Sequence, residues 1–368
     1  MTCHTERGGA PYAGGRAIDT PFGTVYAGNL TPDATTGLGQ WTASDFWRAL
    51  HHGRARDGRL LAPAFPYPNY TQVTRADADA LFAFLRTLPP VQRANTPHAL
   101  RWPYSTQGAL AVWRALYFRP ETHRDDPVRP ADWNRGAYLV RGLGHCSACH
   151  TPRNALGASS DMMDLSGGLI PMQNWYAPSL ASAQEAGVAG WPAEHVVQLL
   201  RTGVAPGAVA TGPMAEVVLH STQYLDTADL RAMATYLQAL PQAAPPEAAL
   251  SAPVSAQVAD RGARLYGEHC AQCHGERGLG IEGAYPPLAG NRAVTLVSPA
   301  NLVQTVLAGG FAPATSGNPR PFGMPPYATV LSDADVAAVL TYIRGAWGHQ
   351  AGPVSELAVS RQRGSTRP

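Results

Sequence analysis

Two stretches, CSACH at residues 146–150 and CAQCH at residues 270–274, share the spacing Cys-x-x-Cys-His. The chain also opens on MTCHT (1–5), which carries the last two members of that pattern at Cys3 and His4. The spacing suits covalent attachment of a c-type haem. The thiols add across the two vinyl groups as thioethers, and the tight x-x spacing presents the following histidine to the iron from below the ring. Zinc knuckles and redox dithiols also use Cys-x-x-Cys, but within neither repeat is a second cysteine pair present to complete a tetrahedral site. Cys146, Cys149, Cys270 and Cys273 are therefore the expected haem-bonding thiols, with His150 and His274 as proximal ligands.

Working outward, the chain repeats itself. TRADADALFAFLRTLP from Thr74, DTADLRAMATYLQALP from Asp226 and SDADVAAVLTYIRGAW from Ser332 each begin with a capping residue followed three positions later by an acid, Asp77, Asp229 or Asp335. An aromatic stands seven residues beyond each acid (Phe84, Tyr236, Tyr342), with apolar residues at helical spacing between. These are three copies of one closing helix, so they divide the chain. Each pentad follows a lead-in helix, DWNRGAYLVRGLGHCSACH or VADRGARLYGEHCAQCH. Both lead-ins carry Arg-Gly-Ala, whose glycine admits another helix at close range. The Pro-rich connectors RPETHRDDPVRPADW and LPQAAPPEAALSAPV read as linkers.

The expected architecture is all-α: three tandem class I cytochrome c domains of short helices and long Gly/Pro-rich loops. They would span residues 1–125, 126–248 and 249–350, with a polar tail at 351–368. Composition agrees. The chain has 368 residues, suited to two or three domains, and a 45% hydrophobic fraction that permits a core in each. The 37 glycines and 33 prolines predict long irregular connections and argue against a continuous sheet. A net charge of +2 gives no reason to expect nucleic acid. No window approaches the roughly 18 uninterrupted apolar residues of a membrane span.

A sixth iron ligand should precede each closing helix, where a thioether sulfur raises the potential and suits electron transfer. TGPMAEVVLHSTQYL offers Met214 and RPFGMPPYATVL offers Met324, each in a Gly/Pro-flanked loop. Met172 is the main rival in the middle domain, ahead of Met162, Met163 and His220, whereas Met233 lies in the closing helix and reads as core. Each proximal imidazole also needs an acceptor for its other ring nitrogen. The carbonyl of Pro152 and the YPPLAGN loop at Pro286 and Pro287 are candidates. In the first domain the corresponding loop, GRLLAPAFPYPNYTQV, places Phe65 where the methionine would stand. An iron there would be five-coordinate or bound by another group such as His51 or His52, although a His pair at a helix end reads as a solvated cap.

Taken together, CHTERGGAPYAGG, TPFGTVYAGNLTPDATTGLGQW, DGRLLAPAFPYPNYT, GPMAEVV, STQYL, GAYPPLAGN and MPPYATVLSDADVAAVLTYIRGAWG resemble the triple-haem cytochrome c subunit of bacterial membrane-associated dehydrogenases. That family serves alcohol, gluconate, sugar and some molybdenum-dependent oxidations, and the resemblance spans residues 1–350. It implies three haems c with His4, His150 and His274 proximal and Met214 and Met324 distal. It implies a multihaem electron-transfer subunit, not itself an enzyme, in the periplasm at the face of the inner membrane. Electrons would come from a quinoprotein, flavoprotein or molybdenum partner and pass to ubiquinone or a terminal oxidase.

The chain departs from the family pattern in three places: no first cysteine and no export signal precede Thr2-Cys3-His4, Phe65 replaces a methionine, and the tail is polar. A start codon placed too late explains the first departure, with Met1 an internal residue of Cys-Met-Thr-Cys-His. The alternative is a first domain that has lost its haem. An open iron in that domain would suit a haem enzyme or gas sensor, and a free-standing multihaem carrier is a further class.

Overall fold

The computed structural model describes residues 3–159, 164–243 and 254–365. Met1, Met162 and Met163, and most of the second expected linker, lie outside them. By its contacts the chain forms two compact units, residues 1–165 and 166–368, the division falling inside the stretch expected as a middle domain.

In the first unit β1 (Ala17–Thr20) and β2 (Gly23–Tyr26) form an antiparallel hairpin with Ile18 opposite Val25, and β3 (Ala99–Leu100) adds to β2. Around it run helices α1 (Ala43–His52), α2 (Tyr67–Tyr70), α3 (Arg75–Arg86), α4 (Gln107–Tyr117), α5 (Ala131–Tyr138) and α6 (Ser147–His150). A π-helical turn over Leu139–Leu143 separates the last two. Leu38, Phe46, Leu50, Val73, Ala78 and Leu85 form the core between α1 and α3.

The second unit contains three antiparallel strand pairs: β4 (Gly168–Ile170) with β5 (Trp175–Ala177), β6 (Val204–Ala205) with β7 (Ala208–Val209), and β8 (Gly310–Phe311) with β9 (Gly323–Met324). Its helices are α7 (Ala193–Thr202), α8 (Gly212–His220), α9 (Thr227–Gln238), α10 (Ala256–His269), α11 (Ala271–His274), α12 (Arg292–Thr295), α13 (Ala300–Ala308), α14 (Asp333–Gly345) and α15 (Glu356–Ser365). The chain is thus mostly helical, and the all-α expectation is corrected by these short pairs. With two to four residues per strand they close loops rather than build a layer.

Sequence dictates where the closing helices begin. Thr74 Oγ1 accepts from the Asp77 amide, Asp226 from that of Asp229, and Ser332 from that of Asp335. In α14 the Asp335 carboxylate also accepts from the Ser332 amide, completing a reciprocal cap. Gly262 does what the lead-in pattern asks: a Cβ there would lie 2.4 Å from the Ala338 carbonyl oxygen, so α10 and α14 cross at backbone contact. Arg261 seals the crossing with an ion pair to Asp335 at 2.8 Å.

The same motif position meets different fates. Tyr236 is buried in α9, whereas α3 buries only Ala78 and Leu85 and leaves Phe84 half exposed. Part of the stretch expected as a polar tail is packed. Val354 and Val359 enter the core of α10, α13 and α14, and Arg363 donates to Asp333 at 2.6 Å and to the Leu331 carbonyl at 2.8 Å. Buried Arg344 donates at 2.8 Å to each of the Val294, Leu296 and Gly352 carbonyls.

Candidate functional site

Both complete pentads fold into the same turn. His150 N–H donates to the Cys146 carbonyl at 2.9 Å, and His274 N–H to that of Cys270 at 3.0 Å. The intervening Cys149 and Cys273 amides donate to those same carbonyls at 3.2 Å. One helical turn therefore carries two thiols and an imidazole in each copy. A redox dithiol would need a thiol with lowered pKa. Here burial pushes Cys270 up to about 11 and Cys146 up to about 12, which leaves them protonated.

The second pentad shows how the imidazole is aimed. His274 Nδ1 lies 3.0 Å from the Pro286 carbonyl oxygen. A carbonyl can only accept, so Nδ1 carries the proton and Nε2 keeps the lone pair a metal needs. Burial lowers the imidazole pKa, with the Pro286 bond opposing, so the ring is neutral. Met324, half-buried in β9, packs against the same core as Cys270, Tyr327 and Trp347. The Tyr266 hydroxyl donates to the Gly275 carbonyl at 2.6 Å and the Tyr327 hydroxyl to that of His269 at 2.7 Å, bracing both ends of the pentad turn. Cys270 and Met324 thus share one core, beside an imidazole oriented by Pro286, and this set fits a haem c.

His4 repeats the arrangement by a different route. Its Nδ1 lies 2.8 Å from the Gly28 carbonyl oxygen, its own carbonyl accepts from Gly14 N–H at 2.9 Å, and burial lowers its pKa. Gly14 makes this possible. It sits at φ +77°, and a Cβ there would come within 2.6 Å of the Gly28 backbone. Cys3 is exposed. Phe65 lies 5.4 Å, ring to ring, from Tyr70, whose hydroxyl is driven above its ordinary pKa first by burial and then by the Cys3 thiol. His51 corrects the reading of a solvated cap. It is buried and stacked 4.3 Å from Trp47.

The middle pentad is pinned within the first unit. Asn69 Nδ2 donates to Ser147 Oγ at 2.7 Å and to the Arg141 carbonyl at 3.1 Å, while the Tyr138 hydroxyl donates to Asp77. Met214 belongs to the second unit and occupies the first turn of α8, not the loop expected of it. Met172 projects to solvent, 59% exposed, and Met233 is core at 3%. Among the acceptors, Pro286 was legible from its loop. Gly28 was not, because 24 residues separate it from His4 against 12 between His274 and Pro286.

Residues 259–347 match the cytochrome c family. Over the whole chain the sequence is 37% identical to the cytochrome c subunit of a quinone-type alcohol dehydrogenase from Gluconacetobacter polyoxogenes, covering 82% of that protein. It is also 37% identical to the gluconate 2-dehydrogenase cytochrome c subunit of Pantoea cypripedii, over 95% of this chain and 83% of that one. With a nicotinate dehydrogenase subunit of Pseudomonas putida it shares 40% identity over 93% of this chain and 29% of that one. The chain belongs to the cytochrome c subunits of bacterial dehydrogenases, and it is an electron-transfer subunit rather than a catalytic one.

Proposed function

We propose that the chain is organised as three haem c modules, closed by α3, α9 and α14. Cys146, Cys149 and His150 would hold one group, Cys270, Cys273 and His274 a second, and Cys3 with His4 a third. The observation that carries this reading is that His4 and His274 both deliver Nδ1–H to a backbone carbonyl, at 2.8 and 3.0 Å, and so present Nε2 in the same way. Haem c, when bound, supplies a one-electron iron couple suited to relaying electrons from a partner dehydrogenase to ubiquinone or a terminal oxidase. The protein's own residues fix ligand orientation and exclude water. Met214 and Met324 are the thioether ligands of this reading, and Phe65 leaves the first site without one. The relatives' names, from alcohol, gluconate and nicotinate dehydrogenases, support a dehydrogenase partner, which this reading takes to be a quinoprotein, flavoprotein or molybdenum enzyme. Attachment of c-type haem is a process of exported proteins, which supports a periplasmic setting at the face of the inner membrane.

The test is the intact mass and haem content of the chain matured with c-type haem. Three haems are expected, falling to two in Cys3→Ser. Two haems in the parent would remove the first site from the reading. Potentiometric titration of Met324→Ala should lower the potential of one component and leave the others in place.

A further inference from the structure

Helix α4 is apolar on the side it shows to solvent. Its exposed positions after Gln107 are Gly108, Ala111, Val112, Ala115 and Leu116, and none is polar. Val112 and Leu116, one turn apart, are 62% and 63% exposed, and Trp102 just ahead of the helix is 82% exposed. Such a face is ordinarily covered.

The inner side is fixed. Gln107 accepts from the Leu60 amide at 2.7 Å and donates to the Leu60 carbonyl at 3.2 Å, Trp113 Nε1 donates to the Leu156 carbonyl at 2.9 Å, and the Arg114 guanidinium lies over the Phe118 and Tyr67 rings. These contacts hold the helix flat on its unit with Val112 and Leu116 facing outward.

Along the sequence the charge beside the helix is of one sign, although Arg93 is paired with Glu6 at 2.6 Å and Arg114 turns inward. From residue 80 to residue 120 the chain has five arginines (Arg86, Arg93, Arg101, Arg114 and Arg119) and no aspartate or glutamate, and acids resume only at Glu121. Arg101 and Arg119, both exposed, stand beyond the two ends of the helix. An apolar stripe with an exposed tryptophan and flanking arginines has the chemistry of an in-plane helix on an anionic bilayer. Aliphatic side chains enter the acyl boundary, indole sits at the headgroups, and guanidinium groups meet phosphate. Among the described residues no helix is long and apolar enough to cross a membrane, so attachment through α4 would be peripheral.

We propose that α4, with Trp102, docks this chain on an anionic lipid surface. The inference rests on the peripheral membrane placement given under the proposed function and names the element responsible. The experiment uses the full-length, haem-loaded protein and co-sedimentation with vesicles of phosphatidylcholine alone or mixed with phosphatidylglycerol. The parent should bind the mixed vesicles and be released by salt. Val112→Asp combined with Leu116→Asp should weaken binding about tenfold or more, with haem absorbance and helicity unchanged. Both positions are exposed, so the fold tolerates the change. A blue shift of tryptophan emission on vesicle addition should disappear in Trp102→Phe. Full binding by the double variant would overturn the role of α4 and leave peripheral placement standing, whereas a parent that binds neither vesicle would remove both. If the double variant keeps its vesicle binding but loses a copurifying dehydrogenase subunit, the face is a protein interface and the proposal fails.

Discussion

At Gly262 a missing side chain decides how two helices meet. The position lies mid-helix, where glycine costs about 1 kcal/mol relative to alanine by propensity alone. The crossing offsets that cost, because a Cβ would stand 2.4 Å from the Ala338 carbonyl and 2.7 Å from Tyr342 Cβ. Gly262→Ala should therefore destabilise the second unit by about 2 kcal/mol, against the propensity scale, read as a lowered denaturant midpoint. The Arg-Gly-Ala pattern made this glycine legible, since a small residue in a helical lead-in has few other uses. Phe65 was legible in a different sense. Its lack of a donor atom was plain from its type, but its packing beside Tyr70 depends on neighbours that only the fold supplies.

Among the elements, the closing helices were legible and the rest much less so. A cap, an acid three residues on and an apolar stripe announce a helix before any tertiary contact forms, and α3, α9 and α14 start where those residues stand. Helix α4 lacks a polar face, so it offered no amphipathic period to read. Helix α15 passed for a polar tail because its sequence is mostly polar, with Val359 in the core and Arg363 bonded to Asp333. The Asp335 cap carries a pH dependence. Its carboxyl is held below its ordinary value, chiefly by the Ser332 hydroxyl and further by Arg261. A folded pKa below the unfolded one contributes stability above the unfolded value, about pH 4, and loses it as pH falls through the folded value. Asp335→Asn should accordingly flatten the fall in melting temperature below about pH 4 and lower the neutral-pH value, as a melting series across that range would show.

Across the whole molecule, the second unit is joined by contacts that no local pattern encodes. Asn301 donates to the Tyr176 carbonyl at 2.7 Å and accepts from its amide at 2.8 Å, 125 residues away. Arg292 donates to the Ala183 and Gly187 carbonyls at 2.7 and 2.8 Å while lying over the Trp191 ring. An arginine bonding main-chain oxygens leaves no complementary residue to search for, which is why sequence reading saw separate domains on linkers and not this joint. Arg292→Ala should cost about 1–2 kcal/mol. Amide exchange should rise across residues 175–191 and stay slow in α14. Equal acceleration in both would mean that the joint and the core open together.

The two imidazole anchors, at Gly28 and Pro286, are main-chain oxygens, and this shapes what genetics can reach. Every amino acid brings the same carbonyl, so replacing Gly28 or Pro286 itself by alanine would leave the acceptor's chemistry unchanged. The bond can be lost only by moving the backbone that carries it or by changing that backbone chemically, for instance to an ester at the acceptor. Protein chemistry, rather than codon replacement, is the tool suited to those two positions.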